Sequence, residues 1–168
     1  VFTCPNSHKC LKVYSIMGIL ETSIPFNKPV NEFIFYNNSI WIASANNIYL
    51  FDPVTNEMQA NWKAHNEQIT QLVVADEFVW SGDIEGIIKI WYANGQEIRN
   101  HLSISLHQGD AIRLIAYQKA GNVVTNAGKY IVVWNTSFSP IQEIQLGDMV
   151  SQIDFYLDDM VVSNSLQV

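Results

Sequence analysis

Residues 78–91 read FVWSGDIEGIIKIW, and this stretch sets the pattern for the rest of the chain. Two short runs of apolar residues, rich in aromatic and β-branched side chains, flank a polar segment that holds Gly82 and Gly86. Such runs favour β-strands, and glycines relieve the backbone strain of a tight turn between them. The stretch is therefore predicted to be a β-hairpin.

The flanking sequence adds one strand on each side of this hairpin. The run ITQLVV at residues 69–74 is typical of a strand, and Asn94 and Gly95 are typical of the turn before a fourth strand at residues 97–102. Residues 64–102 are therefore predicted to be an antiparallel meander of four strands.

The same pattern recurs along the chain. A short apolar run is followed after 12 or 13 residues by a second one that ends on a small residue, and these pairs recur after 39, 43 and 38 residues. The pairs are Val30 and Ala43, Ile69 and Ser81, Ile112 and Thr125, and Val150 and Ser163. A period near 40 built from strand-like runs indicates a repeat array whose sheets stack on one another.

The third strand of each repeat ends on an aromatic residue. The four positions are Tyr14, Phe51, Trp91 and Trp134. Because strand alternation places each ring beside buried aliphatic residues, we expect the rings to fill the gaps between adjacent sheets. A platform on which bases or a ligand stack is the less favoured interpretation.

Residues 78–91, together with Ala64 and His65, resemble a WD repeat, the building unit of β-propellers. The resemblance covers essentially the whole chain, and the pairs Phe51-Asp52 and Trp134-Asn135 stand in the Trp-Asp position of neighbouring repeats. It implies an all-β fold: a β-propeller segment of four-stranded antiparallel blades, with about three complete blades plus partial blades at both ends.

The repeat spacing divides the chain into five parts. They are a partial blade at 1–26, blades at 27–63, 64–106 and 107–146, and a partial blade at 147–168. The first partial blade is expected to hold strands at 1–4, 10–14 and 18–24, and the last to hold strands at 160–163 and 166–168. Since WD propellers usually need about seven blades to close, we expect a segment of a larger propeller. Its unpaired strand edges would permit self-association, and two copies completing one ring or a four-bladed ring are less favoured.

The resemblance also implies a buried, hydrogen-bonded set of side chains with a structural role. Its members are His65, Ser81, Glu85 and Trp91 in one repeat, and His107, Thr125 and Trp134 in the next. Glu85 stands where the family usually has Asp, so the longer side chain is the departure of this repeat from the family pattern.

Composition limits the partners. The chain has 9 basic and 16 acidic residues, a net charge of -7, and its basic residues are scattered, which disfavours nucleic acid and anionic membranes. No apolar run approaches the ~20 residues of a membrane helix.

Cys4 and Cys10 are too few for a disulfide scaffold, so a reduced, cytoplasmic protein is expected. A zinc site from Cys4, His8 and Cys10 is disfavoured against two strand cysteines and a turn histidine, and no cofactor or metal is expected.

No enzyme motif is visible, so any function is expected at a loop surface. The resemblance implies that the loops before each first strand and after each second strand share one face. The candidate partner-binding residues on it are Asn46, Asn47, Glu67, Asp83, Glu85, Asp110 and Lys129. These acids and amides predict a protein partner, a peptide or a domain, of basic or polar character. Ordinary loop polarity is the more common cause of such a pattern.

Two functions remain open from the sequence. The first is a non-catalytic interaction scaffold. The second follows from residues 62–91, which are similar to propeller segments that precede the catalytic domain of some inositol polyphosphate 5-phosphatases. In that case this chain is a regulatory or localisation propeller, and the catalytic domain lies outside it.

Overall fold

The computed structural model describes residues 9–98, 109–117, 121–156 and 159–164. Within these ranges the regular structure consists of β-strands without a helix, which confirms the all-β class. The same residues accordingly provide no helix that is long and apolar enough to cross a membrane. The chain forms two compact units, residues 1–69 and residues 70–168.

The N-terminal unit holds two antiparallel sheets, one of β1 and β2 and one with the order β3-β4-β5-β6. Their bounds are β1 (Cys10–Tyr14), β2 (Leu20–Pro25), β3 (Val30–Tyr36), β4 (Ser39–Ser44), β5 (Asn47–Asp52) and β6 (Glu57–Lys63). Asn37 and Asn38 make the two-residue turn between β3 and β4, with φ angles of 49° and 61°. Asparagine tolerates this left-handed region, so the turn is tight.

The core of this unit lies between its two sheets. Ile42 of β4 and Phe51 of β5 pack with Leu11 of β1, Ile24 of β2 and the following Phe26. The five side chains are buried, so β1 and β2 cover one face of the four-stranded sheet.

The C-terminal unit continues the meander in three sheets, with the orders β7-β8-β9, β10-β11-β12-β13 and β14-β15. The first six strands are β7 (Ile69–Ala75), which begins at the boundary of the units, β8 (Phe78–Asp83), β9 (Ile88–Trp91), β10 (Ile112–Tyr117), β11 (Val123–Ala127) and β12 (Tyr130–Trp134). The last three are β13 (Pro140–Gln145), β14 (Val150–Tyr156) and β15 (Asp159–Asn164). Trp91 forms a bridge to Glu97, where the fourth strand of this sheet is predicted to begin. The predicted strands at 1–4 and 166–168 lie outside the described residues.

Adjacent sheets of the C-terminal unit pack closely. The rings of Trp80 in β8 and Trp134 in β12 lie 6.1 Å apart, and Phe138 lies 5.7 Å from Trp80. A Cβ atom on Gly82 would clash with the Ile112 side chain, so the start of β10 rests against the backbone of β8. Only glycine leaves room for this approach.

The strand pairing corrects two predicted equivalences. Val79 lies opposite Trp91, Val123 opposite Trp134, and Ile40 opposite Phe51. The equivalent residues of the second strands stand two places after these partners of the rings. They are Ser81, Thr125 and Ile42. The predicted equivalent Ala43 is wrong by one residue, and so is Ser163, because Phe33 lies opposite Ile42 and Ile153 opposite Val162, as Ile115 lies opposite Thr125.

Three of the four predicted rings fill gaps in the core. Phe51, Trp91 and Trp134 are 3%, 2% and 1% exposed. Tyr14 is 54% exposed, so the prediction is wrong there. Tyr14 pairs only with Leu20 of the neighbouring strand β2, and the second strand predicted to flank it lies outside the described residues.

Cys10 is disulfide-bonded, so the prediction of reduced cysteines is wrong for this residue. A sulfur in a disulfide is not a thiolate, so it is also not a zinc ligand. Cys4 and His8, the other members of the disfavoured zinc set, lie outside the described residues.

The residue after the ring closes the hairpin between the third and fourth strands. Asp52 Oδ1 accepts hydrogen bonds from the backbone N–H groups of Val54 at 2.7 Å and Thr55 at 3.2 Å. Asn135 Oδ1 plays the same part after Trp134, accepting from Ser137 at 3.0 Å and from Ser139 at 2.9 Å. Asp and Asn thus serve equally as the acceptor at this position, whereas after Trp91, where Tyr92 follows, Asn94 Oδ1 accepts from the N–H of Gln96 at 3.0 Å instead.

We expect the hydrogen bonds from Val54 and Thr55 to hold the pKa of the Asp52 carboxyl below its ordinary value of 3.8. A pKa that is lower in the folded state adds stability above pH 3.8, and this contribution is lost as the pH falls through the folded pKa. Carboxyl titration by NMR in the folded and urea-unfolded chain measures both values. Asp52→Asn keeps the acceptor and should remove this part of the acid dependence. A folded pKa at or above the unfolded one would contradict the assignment.

The pair of Trp134 and Thr125 should behave as a unit, since Trp134 Nε1 donates to Thr125 Oγ1 in the core. Thr125→Val removes the acceptor and should lower the free energy of unfolding by about 1–3 kcal/mol. Adding Trp134→Phe reproduces the apolar pair that Ile42 and Phe51 make in the N-terminal unit. The double variant should therefore cost less than the sum of the single ones, by about 0.5–3 kcal/mol in urea unfolding. Strict additivity would show that the bond does not couple the two residues.

Candidate functional site

The structure brings ring and hydroxyl together in both repeats of the predicted hydrogen-bonded set. Trp91 Nε1 donates to Ser81 Oγ at 2.8 Å, and Trp134 Nε1 donates to Thr125 Oγ1 at 2.9 Å. All four residues are at most 2% exposed. These side chains therefore stabilise the sheets and do not meet a partner.

The buried acid beside this pair is Asp83, not the predicted Glu85. Asp83 is 1% exposed, and its Oδ1 accepts from the backbone N–H groups of Glu85 at 3.0 Å and Ile87 at 2.9 Å. The Glu85 side chain is exposed. His65 lies in the N-terminal unit and is 2% exposed, while His107 lies outside the described residues.

The place of Asp83 also corrects the predicted binding face. A carboxylate that is buried and bonded to its own turn cannot contact a partner, so Asp83 does not belong to that face. Replacing Asp83 with lysine would bury a charge and leave two N–H groups without their acceptor. Such a variant would disrupt the turn, so it would not test whether the surface binds a partner.

In the N-terminal unit, the predicted face residues differ in role. Asn46 Nδ2 donates to the carbonyl of Asn66 at 3.3 Å, and the Asn46 carbonyl accepts from the N–H of His65 at 3.1 Å. Asn46 therefore holds two loops together. Asn47 is half-buried at the start of β5, and Glu67 is exposed.

In the C-terminal unit, three loop segments surround a cavity of about 430 Å³. They are the residues at the start of β10, the turn between β11 and β12, and the loop before β14. Its lining residues are Asp110, Arg113, Gly128, Lys129, Gly147, Asp148, Met149 and Val150. The cavity thus brings together Asp110 and Lys129, two residues of the predicted binding face.

A buried amide holds the turn that forms one wall of the cavity. Asn126 is fully buried, and its Nδ2 donates to the carbonyls of Gly128 at 3.0 Å and Tyr130 at 2.9 Å. The N–H of Val150 also donates to the Gly128 carbonyl, at 3.1 Å. The turn is therefore fixed from both sides. The Oδ1 atom of Asn126 is buried without a hydrogen-bond partner among the described residues.

Two charged side chains take defined places on this turn. Gly128 has a φ of 57°, and a Cβ atom on it would lie 2.8 Å from Asp110 Oδ2. The Asp110 carboxylate therefore rests against the bare backbone of Gly128. Lys129 Nζ lies 5.7 Å from the centroid of the Tyr130 ring, within range of a cation–π interaction.

The charged groups around the cavity make no ion pair or side-chain hydrogen bond with another residue in the described part of the chain. They are Asp110, Arg113, Lys129 and Asp148. Elsewhere in the same unit, Lys89 Nζ and Glu97 Oε2 do form an ion pair, at 3.1 Å. The cavity thus presents two carboxylates and two cations that are available to a ligand.

The sequence prediction missed Arg113 and Asp148. Asp148 had a signal, because Glu67 and Asp110 also stand two residues before the first residue of a first strand, as Asp148 stands before Val150. Arg113 had no such signal, since it lies inside the predicted strand β10 and the candidate residues were sought in the loops.

No family model matches the sequence. A stretch of 75 residues, 45% of this chain, is 25% identical to the probable serine/threonine-protein kinase pats1 of Dictyostelium discoideum, of which it spans 2%. The chain thus corresponds to a small fraction of that curated relative.

Solved structures are similar over most of the chain. The computationally designed protein Ika8 is 25% identical with a TM-score of 0.80, over 94% of this chain and 50% of its own. The designed protein Ika4 is 26% identical with a TM-score of 0.70, over 82% of this chain and 86% of its own. A chain in the crystal structure of the mitotic checkpoint complex is 14% identical with a TM-score of 0.81, over 95% of this chain and 52% of its own. The fold is β-propeller-like.

Gly128→Ala should disturb the cavity more than a matched change at Gly147. Alanine in the left-handed region costs about 1–2 kcal/mol, and its Cβ would push the Asp110 carboxylate away from the turn. A Cβ on Gly147 would meet no atom within 4 Å, so Gly147→Ala should change stability little. Thermal or urea unfolding of both variants checks this. Equal stability of the two would refute the predicted strain at Gly128.

Proposed function

We propose that this chain is a non-catalytic protein-interaction scaffold, and that it forms a segment of a larger WD-repeat β-propeller. The cavity between the loops of the C-terminal unit carries this proposal, because it presents charged groups that no described residue pairs. The β-propeller-like fold supports it, since repeat arrays usually act by presenting a surface. The solved structure of a checkpoint complex shows a chain of similar fold inside a protein assembly.

A larger propeller is supported by an uncovered position on β3. Phe33 stands three residues after the start of its strand, as do Ile115 in β10 and Ile153 in β14. Ile115 and Ile153 are 7% and 9% exposed, because strands of a preceding sheet cover them, whereas Phe33 is 53% exposed. Phe35, on the same face, is 65% exposed. A complete preceding blade, in place of the two-stranded sheet of β1 and β2, would cover both rings.

The absence of catalysis is part of the proposal. Serine, threonine, cysteine and histidine do not occur among the described residues that line the cavity, so it offers no nucleophile paired with a histidine base. The cytoplasmic location stays a prediction, and the disulfide of Cys10 is more typical of an oxidising compartment.

The second candidate is an accessory propeller of a signalling enzyme whose catalytic domain lies outside this chain. The matched stretch spans 2% of the probable kinase. This local similarity supports an accessory role within a much larger signalling enzyme. The matches reported above include no phosphatase, so the inositol polyphosphate 5-phosphatase version rests on the sequence resemblance alone.

Affinity capture with matched variants tests the scaffold. Immobilised wild-type chain should retain a defined set of proteins from a cell extract, measured by quantitative mass spectrometry. Arg113→Ala with Asp148→Ala should lose members of that set, because it removes one charge of each sign from the cavity. Gln142→Ala with Glu143→Ala changes two exposed residues of β13 and should retain the set.

Circular dichroism and melting temperature should show that both double variants are folded. If the wild type and the cavity variant capture the same proteins, the cavity is not the interaction site. If the wild-type chain captures nothing above the bare matrix, the scaffold proposal is wrong.

A further inference from the structure

We propose that the cavity of the C-terminal unit binds a peptide segment in which a basic and an acidic residue stand close together. This deepens the proposed function by naming the chemistry of the partner, and it therefore rests on that function. The inference replaces the basic or polar partner expected from the sequence, because the structure adds a second cation, Arg113, beside Lys129 in the lining.

The charge pattern of the cavity determines the class of ligand. Asp110 and Asp148 would repel an acidic side chain, and Arg113 and Lys129 would repel a basic one. A ligand of one sign would therefore gain two attractions and suffer two repulsions. A segment that carries both signs can place each charge beside the opposite one, which is the arrangement that gives specificity at protein interfaces.

The size and rim of the cavity agree with a short peptide. A volume of about 430 Å³ lies within the range of roughly 300–1,000 Å³ that is usual for small-ligand sites. Met149 is 46% exposed at its edge, and Val150 is buried in its wall. These apolar groups can contact the aliphatic stem of a lysine or arginine while its charged end meets a carboxylate.

The wall of the cavity is ordered before any ligand arrives. The Asn126 amide and the Val150 N–H hold the Gly128 carbonyl, and the Tyr130 ring lies beside Lys129. A site whose groups are already positioned loses less conformational freedom on binding.

Free anions and nucleic acids fit the cavity less well. The chain carries a net charge of -7, and two carboxylates line the site itself. Both features oppose a ligand that bears only phosphate groups. A divalent cation is opposed by the guanidinium and the ammonium group in the same lining.

A set of four synthetic peptides tests the proposal on the full chain. Each is a capped glycine-serine peptide with a fluorescent label, and the first carries one lysine and one glutamate separated by a single residue. The other three replace the lysine, the glutamate or both with glutamine. Fluorescence anisotropy at low ionic strength should show that the first peptide binds about tenfold more tightly than each singly charged one.

Variants assign each charge to its partner. Asp148→Ala should reduce the affinity of the first peptide to that of the peptide without lysine, and Arg113→Ala should reduce it to that of the peptide without glutamate. Gln142→Ala, outside the cavity, should change neither preference. Added salt should weaken the first peptide most, because the gain comes from charge pairs.

Equal affinity for all four peptides, or binding of none of them, would overturn the proposal. So would a preference that persists unchanged in both cavity variants. If the peptides fail while affinity capture still depends on Arg113 and Asp148, the ligand class is wrong and the scaffold function stands. If capture also fails to depend on these residues, the proposed function fails at this cavity as well.

Discussion

The contact between the ring at the end of a third strand and the second strand beside it is the constraint on which each complete sheet depends. It is a hydrogen bond from an indole N–H in the pairs of Trp91 with Ser81 and Trp134 with Thr125. In the N-terminal unit the same place holds Phe51 and Ile42, which have no polar atom to pair. Donor and acceptor are both absent there, which avoids the cost of a buried group without a partner. The position therefore accommodates either chemistry, and mixing the two would leave a buried donor or acceptor without its partner.

This contact fixes the register of the strands, and the register places the loops. Once Val123 pairs with Trp134, the turn between β11 and β12 must fall at Gly128 and Lys129, beside the loops that precede β10 and β14. The buried Asn126 then holds that turn against the wall of the cavity. The candidate site is thus a consequence of core packing, although its own charged residues contribute little to the core.

Much of the fold could be predicted from the sequence, since period, alternation and turn residues are local signals. The strands of the repeat at 64–102 and the Trp–hydroxyl pairs belong to this class. The one-residue shift at Ala43 could not be predicted, because it depends on the length of a hairpin and not on composition. The burial of Asp83 in place of Glu85 likewise depends on which carboxylate reaches the N–H groups of its turn. Half of the cavity charges were predicted from loop positions. Arg113 was not, because alternation along β10 predicts an exposed side chain there but does not predict that the start of the strand borders a cavity.

The order of the strands has a consequence for the growing chain. Within the described residues, every sheet pairs strands that are consecutive in the sequence, with no strand inserted from elsewhere. Such contacts close short loops, and structures dominated by them fold faster than those that join distant segments. Repeats of this kind also begin to fold at any point of the array. During synthesis, the meanders would therefore emerge from the ribosome one after another. The hairpin around each ring could form before the next hairpin had been translated.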